Sequence, residues 1–337
     1  MSRDRTGHSP RRPRSPIRFA LATGTVAVLS LAANGCVVVH GERKVVPAAT
    51  AAEAARALGD FTTAYNEADR TYDRSKDADR VSGPLADIDS AKLKAGHTNN
   101  PGGNPAHSPL KFSDAEYAVP AKAGWPRWFV ANAAANKGVP GSRWLLVFTR
   151  DSADEVWQAS YLTVLGAGDV PKFAKDKDGW AQPVTADDAA LAIEPEKLGR
   201  TYATYLKAGG DTFAAGVHTS QWRAQRKKFA SKPGLARQYI DEPLTARAYV
   251  PVGLRTTDGG ALVFFATQRF EKQTAAAGTA IPAPSADVEA LTTGEVKQSL
   301  TLEFVSNQVV LDPAKGSGDQ RVSVLGRIEG LTGAKGE

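Results

Sequence analysis

Residues 19–39 form an uncharged run of 21 residues, and the chain on its N-terminal side differs in kind from the chain that follows. Residues 1–18 carry six arginines (Arg3, Arg5, Arg11, Arg12, Arg14 and Arg18) against one acid, Asp4. The full 337 residues hold 42 Lys and Arg against 36 Asp and Glu, a formal charge of +6. Nearly all of that excess lies in the arginine-rich head, so the body from residue 40 onward is close to neutral. A basic surface able to track nucleic acid is therefore not expected. A single cysteine excludes a disulfide framework, a cysteine-rich zinc site and a CxxC redox pair. Whatever folds must be built after the run and held by an apolar core rather than by covalent staples.

A basic head followed by the apolar stretch 19–31 is the layout of a bacterial secretory signal. The stretch ends in Ala33-Asn34-Gly35-Cys36, which resembles the lipobox of bacterial lipoproteins. That resemblance implies a signal peptide over 1–35 and lipidation of Cys36, whose acyl chains would replace a membrane span as the anchor. Two other readings stay open. The run 19–39 is long enough to remain as an uncleaved signal anchor, since about 20 apolar residues span a bilayer, with the arginines on the inner side. Simple secretion is the third. A twin-arginine route fits less well, because Pro13 and Arg14 follow Arg11-Arg12. All three leading readings place the body outside the cytoplasmic membrane. The expected location is the extracytoplasmic face, lipid-anchored.

Residues 36–52 read as a tether. The body beyond it exceeds the usual ~100–200 residues of one domain. The charged, breaker-rich segment 171–188 reads as a junction, giving domains over 53–170 and 189–333. In the first, Leu58, Phe61, Tyr65, Ala68 and Tyr72 recur at helical spacing. A short helix is expected over 85–93, a polar loop over 97–109, and strands over 112–119, 125–133, 144–149 and 156–165. The second opens with helices over 198–206 and 213–229. Strands then follow over 235–240, 246–254, 261–270, 298–310 and 321–328, with a tight turn at 257–260. Helices followed by strands, twice over, predict an α+β fold with curved antiparallel sheets.

The stretch Phe61-Thr62-Thr63-Ala64-Tyr65-Asn66-Glu67-Ala68-Asp69 resembles the first helix of NTF2-like (cystatin-like) domains. Residues 144–149, the polar turn, and Trp157-Gln158-Ala159-Ser160-Tyr161-Leu162 resemble their closing hairpin. The resemblance implies two tandem NTF2-like domains, each with N-terminal helices on a curved sheet around a conical cavity. Enzymes of that group place an acid or base in the cavity, and Tyr65 and Asp69 are the positions that match; by spacing, Tyr65 reads as core and Asp69 as exposed. The whole chain also resembles an uncharacterised family of actinobacterial exported lipoproteins, through Gly124-Trp125-Pro126-Arg127-Trp128-Phe129-Val130, Arg143-Trp144-Leu145-Leu146-Val147-Phe148-Thr149-Arg150 and the block 259–267.

Catalytic chemistry is sparse. His40, His97, His107 and His218 lack metal-ligand spacing, and no GxSxG, HExxH, P-loop or GxGxxG occurs. No metal or cofactor is implied. The carboxylate pairs Asp77/Asp79, Asp87/Asp89 and Asp187/Asp188 read as solvated. Trp125, Arg127 and Trp128 are candidates for ligand or partner binding, since aromatics beside an arginine suit recognition. Arg223, Arg226, Lys227 and Lys228 on one helix are candidates for contact with an anionic surface. The function that follows is a non-catalytic binding or scaffold module at the cell envelope. Its partners are the cytoplasmic membrane and an envelope protein, not nucleic acid. A cone-pocket isomerase or hydratase and a structural spacer are the alternatives.

Overall fold

The computed structural model describes residues 44–337. Cys36, His40 and the signal segment lie outside the described residues. A two-residue strand β1 (Val46–Pro47) leads into helix α1 (Ala51–Thr71). Thr50 and Glu53 close a capping box at its start: Thr50 Oγ1 accepts from Glu53 N at 3.1 Å, and Glu53 Oε2 accepts from Thr50 N at 2.8 Å. Helix α2 (Gly83–Asn99) follows a short 3-10 turn. Strands β2 (Phe112–Ala118), β3 (Ala121–Lys122), β4 (Arg127–Ala135), β5 (Ser142–Arg150) and β6 (Gln158–Gly166) complete the first half. The second half begins with α3 (Leu198–Ala208) and α4 (Trp222–Phe229). It continues with β7 (Ser231–Lys232), β8 (Leu235–Leu244), β9 (Val252–Arg255) and β10 (Ala261–Ala275). Then come α5 (Ala286–Leu291), β11 (Thr292–Thr293), β12 (Ser299–Asp312) and β13 (Ser323–Gly336).

The strands make two larger sheets. One is a four-stranded antiparallel meander in the order β2-β4-β5-β6. The other has seven strands, ordered β11-β13-β12-β10-β8-β7 with β9 also pairing β10, and only its β11–β13 contact is parallel. Each central strand splits its side chains between two cores. On β4 and β5, Phe129, Ala131, Leu146 and Phe148 pack under α1 with Leu58 and Phe61. Their neighbours Trp128, Val130, Leu145 and Val147 face the other way and meet Leu262, Phe264, Ala266 and Val309 of the second sheet. On the far face of β10, Ala261, Val263 and Phe265 pack against Leu198, Tyr202 and Tyr205 of α3. The layers thus run helix, sheet, sheet, helix. Strands covered on both faces need no polar alternation, which is why β5 and β10 read as the unbroken runs LLVF and ALVFFA.

This arrangement corrects the NTF2-like expectation. An NTF2-like domain requires a sheet curled around a cavity, whereas both sheets here are open, with free paths ending at β2 and β6 in one and β11 and β7 in the other. The α+β class stands; the tandem cone architecture does not. The aromatic stripe of α1 lies on a sheet face already filled by Phe129 and Phe148, which stack at 5.0 Å. The segment 171–188 touches both sheets, bridging Pro120 to Ala181, Phe173 to Thr256 and Pro183 to Leu254. Two expected elements are interrupted. Only 222–229 of the helix expected over 213–229 is α-helical, after a π-helical turn at Val217–Gln221. The strand expected over 246–254 is broken by a 3-10 turn, Arg247–Tyr249.

Candidate functional site

A cleft of about 550 Å³ opens where the first sheet meets the connecting segments of the second. Its floor comes from the start of β4 (Arg127, Trp128), the end of β5 (Thr149, Arg150) and Tyr161 of β6. Segment 183–186 and the Arg247–Val252 stretch form the opposite wall. Two backbone features hold that wall in place. Gly83, at φ +53, comes so close to the Ala248 carbonyl that a Cβ would overlap it, which seats the start of α2 against the 3-10 turn. Arg247 itself sits at φ 56, a left-handed conformation uncommon for a side chain of this size.

The walls are mainly apolar: Pro126, Trp128, Val184, Val250, Pro251 and Val252. Val250 is 44% exposed, an uncovered aliphatic surface within a cleft. Lys122, Arg247 and one carboxylate, Asp151, also line it, together with Arg127 and Arg150, whose side chains lie on the Phe129/Phe148 face of the sheet, opposite Trp128. Arg127 and Arg150 are direct cross-strand partners in the β4–β5 ladder, a placement of like charges that costs stability. Their guanidinium carbons lie 4.5 and 5.1 Å from the Trp125 ring centroid, and Arg150 lies 4.7 Å from that of Trp157. Cation–π attraction offsets part of the repulsion. The nearest acid to Arg150 is Glu53, at 3.9 Å. Both arginines bury an Nε that no acceptor reaches. Lys122 Nζ donates to the Pro126 carbonyl at 2.7 Å, and burial pushes its pKa down. The lining holds no His or Cys.

Of the residues singled out in the sequence, Arg127 and Trp128 line this cleft and Trp125 stacks on its arginines. Trp128 is otherwise buried between the sheets. Lys122, Arg150 and Arg247 were not anticipated. Arg150 was recoverable, because it and Arg127 stand equally far from the β4–β5 turn. Arg247 carried no such signal.

The remaining candidates do other things. Tyr65 packs on Phe61 and the α1 core. Asp69 is buried rather than exposed, correcting the expectation from spacing: Oδ1 accepts from Lys92 Nζ at 3.1 Å, and Oδ2 contacts Asn104 Nδ2 at 3.2 Å and His107 Nδ1 at 2.8 Å. Desolvation works against the charge, yet the His107 and Lys92 contacts prevail and hold the pKa of Asp69 below its ordinary value. This carboxylate pins the 97–109 loop to α1. The cone-shaped pocket that an isomerase or hydratase would need around it has no counterpart in these open sheets. Asp77 and Asp89 are likewise buried, not solvated.

On α4, Arg226 is withdrawn from any surface role. It is buried, binds Asp241 through two bonds of 2.5 and 2.8 Å, and stacks on Trp222 and Tyr239. Arg223 donates to the Leu206 carbonyl at 3.3 Å. Lys227 and Lys228 are exposed. Among the described residues no cluster of three or more His, Cys, Asp or Glu is placed to hold a metal, and no helix is long and apolar enough to cross a membrane.

An export-type segment precedes a layered α+β body that carries one mainly apolar cleft. A family model described as a domain of unknown function, DUF8094, matches residues 45–336, and the chain belongs to that family. It is 65% identical over 337 residues to an uncharacterized lipoprotein of Streptomyces avermitilis, covering all of both chains. An uncharacterized lipoprotein of Streptomyces coelicolor is 60% identical over the same full length. A second from that organism is 26% identical over 331 residues, 89% of this chain and 92% of its own. No solved structure matches the chain. The protein is thus one of a group of actinobacterial lipoproteins, membrane-anchored on the extracytoplasmic side.

Proposed function

We propose that the protein is a non-catalytic binding module, held at the membrane by a lipid on Cys36 and presenting the cleft between its sheets to an envelope ligand. The observation that carries this reading is the cleft itself. Its volume of about 550 Å³ falls within the range of small-molecule sites. Its apolar walls carry a few fixed charges, and it lacks the paired acid and base, or nucleophile and base, that turnover requires. The near-neutral body and the extracytoplasmic location support membrane and envelope partners over nucleic acid. Exposed Lys227 and Lys228 are the residues of the basic helix suited to anionic headgroups.

Native mass spectrometry of the full chain, released from its own membrane, tests both parts. The mature N-terminus is expected to begin at Cys36 with a diacylglyceryl mass. A further small-molecule adduct is expected on the parent protein and absent from a Val250→Trp variant, in which an indole fills the cleft. A parent without adduct, or a variant that keeps it, would remove the binding reading. An unmodified Cys36 would remove the anchor.

A further inference from the structure

We infer that the cleft takes one acyl chain of a bilayer lipid, the hydrocarbon lying between Trp128 on one side and Val184 and Val250 on the other, with the headgroup left at the mouth. The inference rests on the binding reading above and gives it a ligand class. Three observations converge on it.

The first is what the cleft is: the uncovered end of the apolar layer between the two sheets. Trp128, Tyr161 and Val252 belong to that layer and also line the cleft. Here the two sheets no longer meet directly, and Val184, Val250 and Pro251 stand across a gap from the first sheet. Val250 is 44% exposed there. Hydrocarbon in the gap continues the layer outward and removes these side chains from water.

The second is the state of the polar groups. Tyr161 Oη donates to the Val250 carbonyl at 3.3 Å, and Lys122 Nζ to that of Pro126 at 2.7 Å. Ser82 Oγ lies 3.5 Å from Thr149 Oγ1. Arg127 and Arg150 turn to the opposite face of the sheet, stacked with Trp125. A sugar or peptide in the cleft would strand its own donors and acceptors; an acyl chain has none to strand. The exposed charges of the lining, Arg247 and Asp151, stand at the rim, where a polar headgroup stays in water.

The third is where the chain enters the body. Val46 pairs with Lys122 across β1 and β3, so the tether joins the fold at a residue of the cleft's own lining. Ten residues separate Cys36 from Val46, at most about 33–36 Å when fully extended. A lipid on Cys36 therefore keeps the mouth within that reach of the bilayer. Tethering of this kind holds the cleft at the high local concentration of membrane lipid, which favours a bilayer chain over an apolar molecule arriving through water.

The test places the full mature chain in phosphatidylcholine nanodiscs whose lipid carries a diazirine either near the methyl end of one acyl chain or on the headgroup. After irradiation, peptide mass spectrometry locates the labels. The chain-end probe is expected on Trp128 or Val184, and the headgroup probe on Arg247 or Asp151. Val250→Asp sets a charge against the chain and should cut chain-end labelling at least about tenfold. Val250→Trp, which fills the gap without adding charge, should lose the same label, so misfolding of the aspartate variant cannot account for the result. Val139→Asp, at an exposed valine on the far end of the β4–β5 hairpin, should label as the parent does. Headgroup label on Trp128, or chain-end label that survives both Val250 variants, would overturn the inference. So would a parent that carries a small-molecule adduct yet takes no chain-end label; that outcome assigns the cleft to a soluble ligand and leaves the binding module standing. Absence of label and adduct together would remove both readings.

Discussion

Asp77 and Asp89 show how much a fold can change a carboxylate. Asp77 is 1% exposed and Asp89 5%, and neither outer oxygen, Oδ2 in each, has another donor. Burial first, then the charge of Asp89 beside it, pushes the pKa of Asp77 up to about 8; Asp89 is raised as well, mainly by burial. Asp77 is therefore the carboxyl of the two more readily held neutral, with Lys92 and Asp69 the other charges close to the pair. In an unfolded chain the same carboxyl ionises near pH 4. Between about pH 4 and about 8 the folded state holds a proton that the unfolded state has released, so this pair lowers stability as pH rises across that window. Asp77→Asn keeps a donor toward Asp89 and removes the titration. Its melting temperature should equal the parent's near pH 4 and exceed it by a margin that widens as the pH rises toward 8. A difference that does not change with pH, measured by scanning calorimetry, would show that burial does not raise the pKa of Asp77. Residue-scale environment of this kind was not legible in the sequence. Asp69, Asp77 and Asp89 sit on segments that read as polar, and their burial comes from α1, α2 and the 97–109 loop closing over one another.

At the scale of elements, hydrophobic pattern carried most of the information. The apolar steps of α1 and the runs in β4, β5, β10 and β12 correspond to observed helix and strands. What the pattern could not convey was how far each element extends or where it breaks. Strand β10 continues to Ala275 because Arg269 and Gln273 are buried there and Glu271 is half-buried, with Arg269 paired to Glu271 and Glu329 at 2.8 Å each. A polar stretch reads as the end of a strand unless its partners are known. Helix α4 poses the same problem in reverse. Its four basic residues look alike in sequence, yet the Arg226–Asp241 pair is buried on both sides, at 8% and 6% side-chain exposure. Arg226→Met strands Asp241 as an uncompensated charge and should cost ~3–5 kcal/mol. Pairing it with Asp241→Leu should restore much of that loss. Lys227→Gln should change stability by no more than about 0.5 kcal/mol. Urea titration of the four proteins checks all three expectations. A single Arg226 variant as stable as Lys227→Gln would mean that the pair contributes nothing.

At the scale of the whole molecule, the sheets share an apolar layer. Trp128, Val147 and Tyr161 from one side meet Leu262, Phe264 and Val309 from the other. That contact was invisible in the sequence, because a strand buried against a helix and one buried against a second sheet carry the same apolar letters. The resemblance to curled, cavity-forming domains arose from this ambiguity: the second buried face of each sheet reads equally well as a cavity wall. The shared layer also bears on whether 53–170 and 189–333 fold separately about the segment 171–188. Four of the six tryptophans lie within 53–170, so in a Trp180→Phe, Trp222→Phe background fluorescence reports the first part of the body alone. Phe264 belongs to the second part and is 1% exposed. Truncating a buried Phe to Ala typically costs ~3–5 kcal/mol through lost contacts and a residual cavity. If the sheets unfold together, Phe264→Ala lowers the urea midpoint seen by the first-part tryptophans as much as the midpoint seen by circular dichroism of the whole chain. If the parts are separate folding units, the tryptophan midpoint stays where it was. The coincident shift is the expected result, because removing the Phe264 ring empties the layer that Tyr161 packs into from the first sheet, at 6.1 Å between ring centroids.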